Sequence, residues 1–315
     1  MITPTYGDVV SAATRIAPFV HRTPVFTNAH LDELVGGDIF LKAENLQKVG
    51  AFKARGATNA VLSLSDVEVA RGVVTHSSGN HGQAVAYAAA IRGIPATVVM
   101  PHHAPKVKVE AVSGYGAEIV FCSQDERETT LQTLQERTGA VIVHPFDDPA
   151  VIAGQGTATL ELVEQAPDLD VIVAPIGGGG LLSGASLVGE HEHIDVIGAE
   201  PEAVDDSYRS LRDGVRYPAT GAISVGDGLL TGLGELAFRI LSAASRRILL
   251  VSDEEMLSAM RLMAVRTKLL IEPSSATAIA AIIRYREEFS GRRTGLLISG
   301  GNVELGRLSD SGDRR

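Results

Sequence analysis

A lysine set among apolar residues is the first candidate for chemistry. In Gln47-Lys48-Val49-Gly50-Ala51-Phe52-Lys53-Ala54-Arg55-Gly56, Lys53 follows an aromatic ring and opens a segment whose Ala54, Ala57, Ala60 and Val61 share a helical face. A lysine at the start of a buried helix has a lowered pKa and can act as an amine nucleophile. A surface basic turn, with the Lys53 stem lying over Phe52, fits the same residues. In Pro175-Ile176-Gly177-Gly178-Gly179-Gly180-Leu181-Leu182-Ser183-Gly184, four glycines expose backbone N–H groups at the positive end of the following helix. That chemistry suits a phosphate monoester, although the Lys-Ser/Thr ending of a nucleotide loop and the dinucleotide glycine spacing are both missing. A structural turn is the alternative.

Three further stretches could carry chemistry. Ser77-Ser78-Gly79-Asn80-His81-Gly82-Gln83 offers hydroxyls, an amide and helix N-terminal donors, a set suited to a carboxylate. Helix capping by Ser78 or Asn80 explains it equally well. Ile298-Ser299-Gly300-Gly301-Asn302 places a hydroxyl beside two glycines, where it can face a ring or a phosphate. Ala199-Glu200-Pro201-Glu202-Ala203-Val204-Asp205-Asp206 is dense enough in carboxylates for Mg²⁺ or Ca²⁺, or is a solvated acidic loop. Glu272-Pro273-Ser274-Ser275 reads as a helix start, with proline in the first turn. No Ser-His-Asp order or His-Glu-x-x-His zinc motif is evident, and His102-His103 reads as solvated.

Nearly all these stretches fall where a strand hands over to a helix. Short apolar runs at 72–75, 96–100, 118–121, 140–143, 171–174, 195–199, 247–251 and 294–298 alternate with helical patterns at 53–64, 81–91, 105–113, 125–138, 151–164, 181–188, 256–268 and 274–285. A further helix over 7–17 and a strand over 38–43 precede them, and Ser252-Asp253-Glu254-Glu255 forms a capping box. The alternation predicts an α/β fold of open, parallel-type sheets with helices on both faces, which bind ligands at the carboxyl ends of their strands. Residues 66–147 form a small unit inserted into a larger one built from 1–65 and 148–315. Gly214–Gly234 has no clear period and reads as an active-site or interface loop. The polar tail from Leu308 is expected to fray.

The 315 residues carry a net charge of -10 and no basic run, which argues against nucleic acid or an anionic membrane as partner. Hydrophobic content of 45% supports a sizeable core. The single Cys122 excludes an intramolecular disulfide and a cysteine metal cluster. No signal peptide or membrane span is expected, so a cytoplasmic protein is predicted.

Taken together and in this order, the Lys53 stretch, the Ser77–Gln83 turn, the four-glycine turn and Ser299-Gly300-Gly301-Asn302 resemble the fold type II (tryptophan synthase β-like) pyridoxal-phosphate enzymes. More narrowly, they are similar to the serine/threonine dehydratases (threonine ammonia-lyases) and related serine racemases. The resemblance runs from Thr23-Pro24 to Asn302. It implies a large cofactor-binding domain, 1–65 plus 148–315, and a small mobile domain, 66–147. It implies that Lys53 forms the Schiff base with pyridoxal 5'-phosphate and then serves as α-proton base. Phe52 would pack beside the ring, Asn80 would bond its phenolic oxygen, Gly177, Gly178, Gly179 and Gly180 would hold the phosphate, Ser299 would meet the pyridine nitrogen and Glu272 would lie near the ring. Ser77, Ser78, Gly79 and His81 would line the substrate carboxylate pocket, with Ser78 as the racemases' second acid/base. Arg127 and Thr231 match substrate-side positions. Glu200, the Val204 carbonyl and Asp206 match a Mg²⁺ (or Ca²⁺/Mn²⁺) site.

The resemblance implies β-elimination of L-threonine and/or L-serine to a 2-oxo acid and ammonia, in a homodimer or homotetramer. His144-Pro145-Phe146-Asp147-Asp148-Pro149 favours the dehydratases over animal-type racemases, which carry an Asn-Gln pair near Phe146-Asp147. The chain ends soon after Asn302, so the regulatory domain of biosynthetic threonine dehydratases, and feedback inhibition with it, is not expected. Serine racemase with side elimination, or dehydratase of 3-hydroxyaspartate, are the related alternatives. A non-catalytic cofactor or amino-acid sensor is the alternative of a different class, although a sensor need not keep Lys53, Ser78 and Ser299 together.

Overall fold

The computed structural model describes residues 2–304 and 306, so the tail from Leu308 lies outside the described residues. Among the described residues, ten strands form two sheets: β1 Val25–Phe26, β2 Asp38–Ala43, β3 Val73–His76, β4 Ala96–Pro101, β5 Glu118–Cys122, β6 Val141–Ile142, β7 Val171–Pro175, β8 Asp195–Pro201, β9 Arg247–Val251 and β10 Arg293–Ile298. The six-stranded sheet has the order β1-β2-β10-β7-β8-β9, and the four-stranded sheet the order β5-β4-β3-β6. Every pairing is parallel except β1 with β2. The four-stranded sheet is drawn entirely from residues 73–142, and the six-stranded sheet from the chain on either side.

Side-chain alternation along the strands builds a core on each face of the larger sheet. Val171 and Val173 pack with Ile197, Met260 and Ile279 on one face. Ile172 and Ala174 pack with Leu162, Leu182 and Leu241 on the other. Because both faces are covered, the strands read as continuous apolar runs and were recognisable in the sequence.

Helix Lys53–Leu62 joins the two sheets. It packs on helix Asn80–Arg92 at one side and helix Pro149–Gln165 at the other. At the second contact a Cβ on Gly154 would come within 2.6 Å of Gly56 Cα, so glycine is required for the approach. Arg55, two residues past Lys53, is fully buried and fixes this helix by ion pairs to Glu44 (2.7 Å) and Glu161 (2.8 Å). The same Glu161 pairs with buried Lys42, which completes a balanced network of two cations and two carboxylates. Removing one partner from such a network costs about 3–5 kcal/mol, because the other charge is left buried alone.

Several elements were not visible as sequence patterns. Strand β1 and the helices Ala29–Val35, Asp66–Val69, Asp206–Asp213, Glu235–Ala243 and Arg286–Phe289 are additional, and Gly214–Gly234 contains a helical turn, Asp227–Leu229. The helix expected over 53–64 stops at Leu62, and the capping box at Ser252 is present with Glu255 as its third residue.

Candidate active site

Lys53 stands at the first turn of its helix, just after a segment held by the end of β10. Phe52 N–H donates to Ser299 O (2.9 Å), and Ala51 bridges to Gly300. The Lys53 amine donates to Pro145 O (2.7 Å) and lies 5.1 Å from the Phe52 ring centroid. Burial pulls the ammonium down to about 8, and the charge of Glu272 opposes that shift. An amine with a pKa near 8 keeps a minor but appreciable neutral fraction at physiological pH, which suits a nucleophile or base, and the surface-turn alternative is not what the structure contains.

The turn after β3 carries side chains. Gly79, not Ser78 or Asn80, caps helix Asn80–Arg92, and no side chain accepts from that helix start. Ser77 Oγ accepts from Gly79 N–H (3.1 Å), so the capping alternative does not account for Ser78 or Asn80. All of Ser77, Ser78, Gly79 and Asn80 are half-buried. His81 is buried and donates Nε2–H to Val143 O (2.9 Å), since a carbonyl can only accept. Burial and the nearby Lys53 charge hold it well below the usual histidine range. Its buried Nδ1 therefore remains a bare acceptor with no hydrogen-bond partner.

The turn after β7 carries none. Gly177 to Gly180 are all buried, and Gly179 has φ 88°. A Cβ on Gly178 would enter the Phe146 ring, and one on Gly179 would reach Leu233 and Ala237 at 2.7 Å. Helix Gly180–Glu192 follows, so its first-turn N–H groups, which have no intrahelical partners, face the turn. This is a cradle for an anion, made by the absence of side chains.

Glu272 and Ser299 complete the cluster. Glu272 is the N-cap of helix Pro273–Arg284, but its side chain makes no capping bond. Its carboxylate instead accepts from Asn80 Nδ2 at 3.1 Å on both oxygens. Burial pushes it up to about 7, with the Asn80 bond opposing. Buried Ser299 Oγ lies 2.8 Å from Ser275 Oγ, which also donates to Gly300 O (2.7 Å). Sequence reasoning did not single out Ser275, the Pro145 carbonyl, Phe146 or the Asn302 side chain. Only the strand-end position of the Pro145 segment could have pointed to two of them.

The remaining candidates sit further out. Arg127 opens helix Arg127–Thr138, and its Nε is buried without a partner. The adjacent Glu128 pairs with His76 (3.2 Å). Thr231 is exposed on the Gly214–Gly234 loop. Glu200, Val204 and Asp206 are all buried at the end of β8. Glu200 accepts from the N–H groups of Ser207 (3.0 Å) and Tyr208 (2.8 Å). Burial raises Glu200 to about 8 and Asp206 to about 6, and Asp206 Oδ2 is buried without a hydrogen-bond partner. Among the described residues no group of three or more His, Cys, Asp or Glu side chains could hold a metal. Two carboxylates and a carbonyl still suit a hard cation that keeps several waters.

A family model described as pyridoxal-phosphate dependent enzyme matches residues 16–300. The serine racemase of Dictyostelium discoideum is 45% identical, over 98% of this chain and 98% of that protein. The beta-hydroxyaspartate dehydratase of Paracoccus denitrificans is 46% identical, over 98% of this chain and 99% of that protein. The crystal structure of a threonine deaminase from T.th. superposes with a TM-score of 0.91 at 44% identity, covering 96% of this chain and 99% of that one.

Proposed function

The chain belongs to the pyridoxal-phosphate dependent enzymes, and on that premise we propose that it dehydrates small β-hydroxy amino acids, L-threonine and/or L-serine, to a 2-oxo acid and ammonia. The observation that carries this reading is the partly neutral Lys53 amine, bonded to Pro145 O next to the Phe146 that packs on the glycine turn, and near enough to His81 for its charge to act there. The residues present fit the cofactor. Gly177–Gly180 would take its phosphate, Ser299 its ring nitrogen, Asn80 its ring oxygen, and Phe52 one edge of the ring, with Glu272 close by. When bound, the cofactor supplies an electron sink that makes the substrate's α-hydrogen acidic.

The protein's own groups do the rest. The turn at Ser77, Ser78, Gly79 and His81 would hold the substrate carboxylate through hydroxyl and helix-start N–H donors. Lys53 Nζ takes the α-proton as general base, the β-hydroxyl leaves with a proton as water, and the released enamine takes up one water to give the 2-oxo acid and ammonia. A serine at the ring nitrogen is a neutral partner, which favours elimination over reprotonation. Arg127, with an unpartnered buried Nε, would accept a second carboxylate, so 3-hydroxyaspartate belongs in the substrate class. Thr231 would lie on the substrate side, on the loop whose Gly234 N–H bonds Gly178 O.

A second reading, serine racemisation, is favoured by Ser78, whose hydroxyl has no capping duty and could return a proton. Glu200, Asp206 and the Val204 carbonyl would bind Mg²⁺ or a similar cation. Residues 66–147 would move as a small domain against 1–65 and 148–315. No helix among the described residues is long and apolar enough to cross a membrane. A cytoplasmic homodimer or homotetramer fits this reading.

Purified holoprotein should release 2-oxo acid from L-threonine, L-serine or L-threo-3-hydroxyaspartate, with recovered serine checked for its enantiomer. Absence of 2-oxo acid from all three would remove the lyase reading, and D-serine without 2-oxo acid would leave the racemase.

A further inference from the structure

Asn302 ends the Ser-Gly-Gly-Asn stretch, and its side chain lies between two acceptors. Nδ2 donates to Val49 O at 2.7 Å and to Asn80 Oδ1 at 2.8 Å. A backbone carbonyl can only accept, so the direction of the first bond is fixed. Asn80 must then present its oxygen to Asn302, which turns Asn80 Nδ2 toward both Glu272 oxygens at 3.1 Å. An ionised carboxylate also only accepts. Two amides strung between a carbonyl and a carboxylate thus have one self-consistent orientation. Asn302 is exposed, but the backbone beside it is constrained. Val49 adopts φ 55°, rare for a β-branched residue, and a Cβ on Gly50 would meet Asn302 Oδ1 at 2.6 Å. Asn302 also supports Glu272 directly through its backbone N–H.

We infer that Asn302 is a positioning residue that sets the amide of Asn80, so that the N–H edge of Asn80 faces Glu272 and the cofactor's ring oxygen. A flipped Asn80 would set its oxygen against the Glu272 carboxylate and offer the cofactor no donor from that edge. The inference needs the cofactor family but not the substrate assignment, and it is read first in apoprotein, so the two can fail separately.

The test is Asn302→Asp, whose side chain accepts only and forces Asn80 to turn round. Its new charge also acts on Glu272 directly, so the substitution is made both in the natural chain and in an N80A background. Protonation of Glu272 is followed by its infrared carboxyl band against pH, without cofactor. The expected result is a Glu272 proton affinity raised about tenfold more with Asn80 present than in N80A, or about 1.4 kcal/mol. Cofactor affinity, titrated separately, should fall about tenfold in N302D and by less than about twofold on going from N80A to N80A/N302D. Equal shifts in the two backgrounds overturn the inference. Should N302D fail to fold, N302A carries the test without added charge. A rise in Glu272 proton affinity only when Asn80 is present supports the inference, and no rise, or the same rise in both backgrounds, overturns it.

Discussion

The turns after β3 and β7 occupy the same topological place, each at the carboxyl end of a parallel strand and ahead of a long helix. They are built in opposite ways. The first is half-buried and lined by Ser77, Ser78 and Asn80 side chains. The second is wholly buried and has no side chains from Gly177 to Gly180. Helix-end electrostatics are common to both, so the difference lies in what is added to the backbone. A phosphate has oxygens all round and needs only N–H groups brought close. A small amino acid must be held in one pose, which takes hydroxyls and amides at chosen points. The first turn should therefore suffer from a lost polar atom, and the second from any gained atom.

Lys53 is linked to both, through Pro145-Phe146 to the glycine turn and through its charge to His81, and its loss should be the largest effect. Lys53→Ala is expected to lower turnover about 10,000-fold, because it removes the α-proton base. Apoprotein melting should stay level or rise below about pH 8, since a buried ammonium is removed. A variant that keeps full 2-oxo acid release would end the Lys53 assignment. Next comes the glycine turn. Gly178→Ala should weaken cofactor binding about a hundredfold, because the added methyl meets the Phe146 ring. Adding Phe146→Ala should recover part of that loss in an equilibrium titration. Ser78→Ala should leave cofactor affinity within about threefold. Should the two single substitutions weaken the cofactor alike, the contrast between the turns is lost.

Much of this was legible because its causes are local. Buried parallel strands are apolar on both faces, and the Ser252 capping box closes within one turn. Glu235–Ala243 shows the opposite case. Its N–H groups at Glu235 and Leu236 are capped by Asp147, which is remote in sequence and leaves no mark nearby. Strand β1 is two residues long and exists through its pairing with β2. Within the site, Lys53 and the four glycines announced themselves by residue type. Ser275 and Asn302 act through contacts to residues far away in the chain, Ser299 and Asn80 respectively. The cost of burying Glu272, which moves it to about 7, depends likewise on packing that spacing does not reveal.

The side-chain-lined turn supplies the next smaller effects. Ser77→Ala and Ser78→Ala should each raise KM about tenfold, the weight of one hydrogen bond to a charged group, with cofactor absorbance retained. Ser78→Ala should also suppress any D-serine formation more than 2-oxo acid release. Unchanged KM in both variants would move the carboxylate pocket elsewhere. Capture of added cofactor by apoprotein should speed up several-fold from about pH 7 to about pH 8.5. The sign follows from Lys53, which is mostly protonated below about 8 and mostly a free amine above it. A rate flat across that range, followed by cofactor absorbance, would contradict a lowered Lys53 pKa.

The smallest expected effect separates the two turns without touching either. The acidic site lies behind the glycine turn alone: Ser207, beside Asp206, donates from Oγ to Gly177 O (3.5 Å), and Ser207 N–H bonds Glu200. From the far side Gly234 N–H donates to Gly178 O (3.1 Å). A cation held by Glu200 and Asp206 would cancel carboxylate repulsion and fix this backing, whereas among the described residues Glu200, Asp206 and Ser207 make no hydrogen bond to Ser77–Gln83. Adding Mg²⁺ to chelator-treated protein should raise the melting temperature by a few degrees, about 1–2 kcal/mol in a chain this long. Hydrogen exchange should slow at 177–180 and stay unchanged at 77–83, and Glu200→Gln should abolish both responses. Slowing spread evenly over the two turns would mean that the cation, if bound, acts on the whole fold and that the glycine turn needs no backing of its own.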